Sequence, residues 1–298
     1  MRKFLLLFII IFFLNNCAFY FIGKTKPLKE TVISGKGKNK ILLIDISGII
    51  STKKRHKFFL LKEESIVSRI KEELKKANSD KKIKGIVLRI SSPGGTVIAS
   101  DIIYHEIKKF KQKRHIPVVA YMMDIATSGA YYISLAADII MAHPTSITGG
   151  IGVIALKFNI EELLKKIGIK DESIKSGKKK DLWSPFRPCT EEERKILQEI
   201  INELHERFIK TIAENRKMLT IGQIKKLADG RIYTAKQALN LKLIDKIGYL
   251  EDAIELVKKK AGILEARIII YHRPPTYKSN IYSIKNLIGL EFMYLWLP

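Results

Sequence analysis

The sequence predicts an α/β fold with a largely parallel sheet. Three observations predict it. Apolar runs of strand length alternate along the chain with helically spaced apolar residues. Residues 86–100, IVLRISSPGGTVIAS, pass from a strand pattern through small residues into helical spacing. Residues 121–138, YMMDIATSGAYYISLAAD, repeat that switch. Parallel strands need crossover connections, and turns of this kind begin them.

Taken in order, residues 40–50 (KILLIDISGII) read as a buried strand. In residues 63–76 the stripe Ile66, Ile70 and Leu74 predicts a helix. Strands are expected at 84–90 and 117–122, each followed by a helix, at 97–110 and 128–136. A short strand at 138–142 precedes a glycine-broken one at 145–159, then a helix at 161–167. Residues 190–218 predict a long helix. Thr190 and Glu193 form a capping box, and Leu197, Ile200, Ile201, Leu204, Phe208 and Ile212 mark its apolar face. Helices at 235–241 and 250–260 and a strand at 267–271 complete the pattern. Residues 24–40 are basic and poor in apolar side chains, which reads as a linker.

A chain of 298 residues is long enough for a full core. Its formal net charge of +24 comes mostly from lysine, with only twelve arginines. Arginine is the usual base reader, the lysines are dispersed, and no aromatic-basic motif appears, so nucleic acid is not expected as a partner. A solvated lysine-rich surface, or one facing anionic lipid headgroups, fits better. Arg2 and Lys3 precede the apolar run 4–14, and residues 4–22 are just long enough to span a bilayer. A retained signal-anchor over residues 1–23 is expected, with lipidation at Cys17 or cleavage of a signal peptide as alternatives. The two cysteines, Cys17 and Cys189, cannot build a thiolate metal cluster. No H-x-x-x-H pair exists among the six histidines.

The two strand-to-helix turns carry the chemistry. Ser128 offers a lone hydroxyl followed by Gly129, and the other turn offers Gly94 and Gly95. A nucleophile and a bare backbone that can hold an oxyanion are two parts of an acyl-transfer site. A serine also needs a base. The candidates are His143 and a lysine of the run Lys178, Lys179, Lys180, where Trp183, Pro185 and Phe186 could shield one ammonium from water. Gly149, Gly150 and Gly152 read as a bulge or as an edge that pairs with an extended peptide.

The motifs ISSPGG, ATSGAYYISLAAD, TSITGGIGVI, IKSGKKKDLWSPF and ADGRIYTAKQALNLKLIDKIG, in that order, resemble the short form of the signal peptide peptidase A family. These are membrane-anchored Ser/Lys-dyad proteases of the crotonase/Clp superfamily. The resemblance implies a repeated ββα core with a long helix and a C-terminal helical region. It implies a protease domain over 41–271, beyond which residues 272–298, rich in aromatic and aliphatic side chains, read as a hydrophobic tail. It makes Ser128 the nucleophile and Lys180 the base, counted from Gly177 and Pro185. Gly95 and Gly129 become the oxyanion donors, and Gly94 shapes the turn. It implies no metal or cofactor, hydrophobic peptide substrates such as remnant signal peptides, and a homo-oligomer, plausibly an octamer. It allows the serine and lysine of one site to come from neighbouring protomers. The chain departs from the family at Gly150, where a serine usually orients the lysine, so Thr145, Ser146, Thr148 or a water must substitute. The competing readings are a crotonase-like acyl-CoA enzyme and a catalytically impaired membrane scaffold.

Overall fold

The computed structural model describes residues 27–53, 55–57 and 61–273. The apolar segment 1–23, with Cys17, and the tail beyond Arg273 lie outside the described residues. Among those described, no helix is long and apolar enough to cross a membrane.

Eleven strands appear among the described residues. The main sheet runs in the order β1 (Lys29–Gly35), β11 (Arg267–His272), β2 (Lys40–Ser47), β5 (Ile83–Ser92), β6 (Val118–Thr127), β7 (Ile139–Ala142), β10 (Lys246–Ile247). All pairings from β11 to β10 are parallel, and β1 is antiparallel to β11. β3 (Arg55–Lys57) and β4 (Leu61–Glu63) form a separate hairpin. The ten-residue β6 changes neighbours along its length. Val119–Met122 pair with β7, while Ile125–Thr127 pair with the short β8 (Ile147–Gly149). β8 is held on its other side by the antiparallel β9 (Ile232–Thr234).

The sheet is buried on both faces because its strands are apolar on both. Leu42, Ile44 and Ile46 of β2 face one core with Ile86, Leu88 and Ile90 of β5. Ile41, Leu43 and Val87 face the other. The first face is covered by α1 (Ile66–Ser79), α2 (Val97–Arg114) and α3 (Gly129–Ser134), with Phe208, Ile209 and Ile212 of α5 (Glu191–Asn215) joining the same core. Ser65 and Thr96 cap α1 and α2 by accepting backbone N–H bonds. The predicted Thr190–Glu193 capping box opens α5. On the second face lies α8 (Leu250–Ala261), which buries Leu250, Ala253, Ile254 and Val257. α6 (Ile221–Leu227) and α7 (Ala235–Asn240) complete the C-terminal part.

Two expectations are corrected. The segment read as a linker, 24–40, contains β1, whose Lys29–Gly35 register with His272–Arg267. Most of β1 is exposed at the sheet edge, so its composition stays polar although its backbone is paired. Its neighbour Lys40 donates to Glu30 and Asp80, each at 2.8 Å, which ties the strand to the domain. The strand expected over 145–159 is only three residues long, Ile147–Gly149. Positive φ at Gly149 (90°) and Gly150 (59°) turns the chain out of the sheet there. Beyond it α4 (Glu161–Lys166) buries no residue, and Ile154 (77 % exposed) and Phe158 (74 % exposed) face solvent in the isolated chain.

α1 also carries a charge in the core. Glu73 is 2 % exposed; Oε1 accepts from Arg69 Nη1 at 2.8 Å, while Oε2 has no hydrogen-bond partner. Burial pushes its carboxyl up from 4.5 to about 7, against the opposing pull of Arg69. A carboxyl raised in the folded state costs stability as pH climbs from the unfolded value through the folded one. The wild type is therefore expected to lose on the order of 1–3 kcal/mol of unfolding free energy between mildly acidic and mildly alkaline pH from this group. Glu73→Gln should flatten that loss. Denaturant unfolding of both proteins across the window checks it, and equal slopes would contradict it.

Candidate active site

Ser128 sits where β6 ends and α3 begins, at φ 53° and ψ −122°. L-residues rarely adopt this conformation, which costs on the order of 1–3 kcal/mol. Its surroundings hold it there. Ser128 N–H donates to Gly149 O at 2.8 Å, and Tyr132 N–H donates to Ser128 O at 2.9 Å. Just before it, Thr127 Oγ1 donates to Pro93 O at 3.1 Å. A strained serine between strand and helix is the geometry of a nucleophile elbow, which lifts the hydroxyl clear of its own backbone. The Ser128 side chain makes no capping bond to α3.

The Gly94–Gly95 turn lies directly against this elbow. Gly94 has φ 102°, and a Cβ there would stand 2.9 Å from Gly129 N, from Ser128 Cβ and from Thr127 O. The missing side chain is what lets the two turns touch. Ser92 Oγ fixes the first turn by donating to Gly48 O at 2.6 Å and accepting from Gly94 N–H at 3.0 Å. Ile50 then bridges it, with Ile50 N–H on Gly94 O and Thr96 N–H on Ile50 O, both at 2.9 Å. This bridge leaves out the N–H of Gly95. Gly129 opens α3, so its N–H lacks an intrahelical acceptor. A Cβ on Gly129 would lie 3.3 Å from Gly95 N, so the two spare donors are neighbours. Together they can stabilise an oxyanion formed at a carbonyl beside Ser128.

A pocket open to solvent adjoins Ser128, Gly129 and Gly95. Val97, Tyr132, Val153, Leu204 and Phe208 give it an apolar wall. Sequence reading had not singled out Tyr132, Val153 or Arg207, which also lines it. Their spacing carries no motif, because α3, α5 and the chain after β8 meet only in the fold.

The base candidates stand elsewhere in the single chain. His143 shares a 2.9 Å hydrogen bond with Thr145 Oγ1 and packs edge-on against Tyr249, outside the pocket. Lys180 is exposed in a turn closed by its N–H on Gly177 O at 3.0 Å, and none of the three lysines lines the pocket. Lys179 pairs with Glu192. The turn is nevertheless fixed. Arg187 donates from Nε and Nη2 to Asp181 at 2.9 Å each, and from Nη1 and Nη2 to Glu193 at 2.9 and 2.6 Å. Hydrogen bonds from Arg187 first, and Lys175 second, hold the Asp181 carboxyl well below its usual range. Arg187 likewise holds Glu193 down to about 2. Lys180, next to Asp181, is thereby anchored to the N-terminus of α5.

Gly149 ends β8 and Gly150 follows it, and both are held by backbone pairing. Gly149 stands in a strand with neighbours on both sides, and Gly150 N–H donates to Arg231 O at 2.8 Å. Of the two readings, bulge or substrate-pairing edge, the positive φ at both glycines fits the turn, and in the single chain β9 and Arg231 pair with this backbone. A Cβ on Gly150 would press to 3.2 Å from Thr127 Cβ and 3.3 Å from Ser128 N. The hydroxyls named as substitutes are each hydrogen-bonded within the single chain, although an oxygen that donates its proton can still accept from a lysine. Ser146 Oγ donates to Met122 O at 2.9 Å, Thr148 Oγ1 to Ala126 O at 2.7 Å, and Thr145 Oγ1 is bonded to His143.

A strained serine, two spare backbone donors and an apolar pocket, set on a mostly parallel sheet, are parts that a serine hydrolase site requires. The sequence matches the model of peptidase family S49 over residues 110–264 and that of Clp protease over 51–149. It is 38% identical over 256 residues to the "Putative signal peptide peptidase SppA" of Enterococcus faecium, covering 86% of this chain and 74% of that protein. It is 34% identical to the chloroplastic "Serine protease SPPA" of Arabidopsis thaliana over 76% of this chain but only 34% of the plant protein. The solved ClpP1 of Listeria monocytogenes superposes with a TM-score of 0.47 at 19% identity, covering 71% of this chain and 94% of that one. The chain belongs to peptidase family S49 and is a serine protease of that family. The acyl-CoA reading is thereby set aside.

Proposed function

We propose that this protease works through a Ser128/Lys180 dyad completed between neighbouring copies of the chain, and that it cleaves hydrophobic peptides, remnant signal peptides among them, at a membrane. The observation that carries this reading is the division of the site. Ser128, Gly95 and Gly129 are assembled around one pocket, while Lys180 stands on an anchored turn beyond it, in a region rich in uncovered apolar side chains. Burial of that region against a second copy would exclude water from around Ser128 and Lys180. Lys180 Nζ then takes the proton of Ser128 Oγ as Oγ attacks the peptide carbonyl carbon. The Gly95 and Gly129 N–H groups hold the resulting oxyanion. As the C–N bond breaks, Lys180 returns the proton to the departing amine, leaving an acyl-enzyme. Lys180 next takes a proton from water as the water oxygen attacks the ester, and passes it to Ser128 Oγ as the C–O bond breaks; the released carboxylic acid loses its own proton to solvent. The apolar wall of the pocket suits hydrophobic peptides. The apolar segment 4–22 and the +24 charge suit a chain held at a membrane with its catalytic domain extracytoplasmic.

Mixing two inactive variants tests the division. Ser128→Ala and Lys180→Ala should each be inactive alone. Co-assembled, they should regain activity at about a quarter of their sites, by random pairing of neighbours. No recovery, with mixed oligomers demonstrated, would place both residues of one site in one chain. A Lys180→Ala protein that keeps wild-type turnover would remove Lys180 from the mechanism. Recovery of the activity in the detergent-extracted membrane fraction checks the anchoring in the same preparation.

A further inference from the structure

A polar chain that the acyl transfer does not use runs behind the pocket. Thr211 Oγ1 donates to Tyr132 Oη at 3.1 Å, and Tyr132 Oη donates to Asp101 Oδ1 at 2.7 Å. Arg207 reaches the same Oδ1 from Nη2 at 2.7 Å and Nε at 3.3 Å. Tyr132 and Arg207 line the pocket; Asp101 stands behind them on α2. Burial raises the Tyr132 hydroxyl to about 12, so it remains a donor. Burial works against the Asp101 charge, but the bonds from Tyr132 and Arg207 outweigh it and its carboxyl titrates below the usual range. The Arg207 guanidinium, paired with the Asp101 carboxylate behind it, therefore stands at the wall of a pocket whose apolar lining includes Val97, Val153, Leu204 and Phe208.

The pairing matters because of where the pocket lies. It shares Ser128, Gly129 and Gly95 with the oxyanion site, so it lies within reach of a side chain beside a carbonyl held there. Alone, Asp101 would attract a basic side chain and Arg207 an acidic one; paired, their fields largely cancel. We propose that the Asp101–Arg207 pair is the charge filter of this pocket, restricting the residue on the acyl side of the cleaved bond to uncharged side chains. This rests on Ser128 being the nucleophile. Specificity here comes from a repulsive and desolvation cost against charged residues as well as from apolar contact. Removing one partner releases the other's charge into the pocket.

The test uses the full chain and three peptides that differ only at the residue before the cleaved bond, Leu, Lys or Glu. The wild type should favour Leu. Arg207→Met should raise the Lys-to-Leu ratio of kcat/KM by roughly 10-fold or more, and Asp101→Asn should raise the Glu-to-Leu ratio similarly. The double variant should gain neither, and Arg207→Lys should keep the wild-type ratios. Circular dichroism and Ser128 labelling by a fluorophosphonate confirm folding, and the near-isosteric Asp101→Asn carries the test if Arg207→Met does not fold. Ratios unchanged within two-fold in the folded single variants, with the Leu peptide still cleaved, would overturn the proposal. Failure of the underlying reading looks different: the wild type would cleave no peptide and take no label at Ser128.

Discussion

Ser128→Ala is expected to lower hydrophobic-peptide turnover by roughly 10⁴-fold or more, and to abolish fluorophosphonate labelling. Loss of an acyl-transfer nucleophile leaves only the residual help of the oxyanion donors and substrate binding. The fold should survive. The Ser128 side chain makes no capping bond to α3, and the bonds that hold the turn come from its backbone N–H and C=O. Its melting temperature should therefore stay near that of the wild type, which separates lost chemistry from lost structure. A Ser128→Ala protein with normal turnover would remove the nucleophile. An unlabelled wild type would favour the impaired-scaffold reading instead.

Gly95→Ala is expected to damage both activity and fold. A Cβ there would lie 1.9 Å from Ile50 O and 2.6 Å from Ile50 C and N. All three are backbone atoms of the bridge that closes the turn, so no side-chain rotation relieves the clash. The turn must move, and the Gly95 N–H moves with it. Loss of one oxyanion donor lowers kcat by about 10²- to 10³-fold, and the displaced bridge costs about 1–3 kcal/mol of stability. Gly129→Ala makes a useful contrast. Its new Cβ meets Ser100 Oγ at 2.2 Å and Ser100 Cβ at 3.2 Å, both side-chain atoms. Adding Ser100→Ala should relieve part of that defect, whereas no single side-chain deletion rescues Gly95→Ala. Wild-type kcat in Gly95→Ala would show that its N–H does not hold the oxyanion.

The core strands and the two strand-to-helix turns are readable because the information lies within short windows. A strand buried on both faces is continuously apolar, as in β2 and β5. An elbow needs a small residue on each side of its serine, as Ala126-Thr127-Ser128-Gly129 supplies. β1 was misread because an edge strand owes its place to backbone pairing, which leaves little trace in side-chain composition. The strand after Ser146 was overextended because its apolar residues, Ile154 and Leu156 among them, continue the pattern while the backbone has already left the sheet.

By itself, then, the sequence determined the alternation that builds the sheet, the serine, and the glycines beside it. These depend on residue type and near neighbours. Only the tertiary structure decided what surrounds Ser128. It put Gly95 N beside Gly129, committed the hydroxyls of Ser146 and Thr148 to carbonyls of β6, and left Lys180 outside the pocket of its own chain. It also brought Asp101 of α2, Tyr132 of α3 and Arg207 of α5 into one polar chain. The physical reason is that hydrogen bonds and charge pairing act over a few ångströms in space. Such distances join residues that may stand a hundred positions apart, and no local pattern records them.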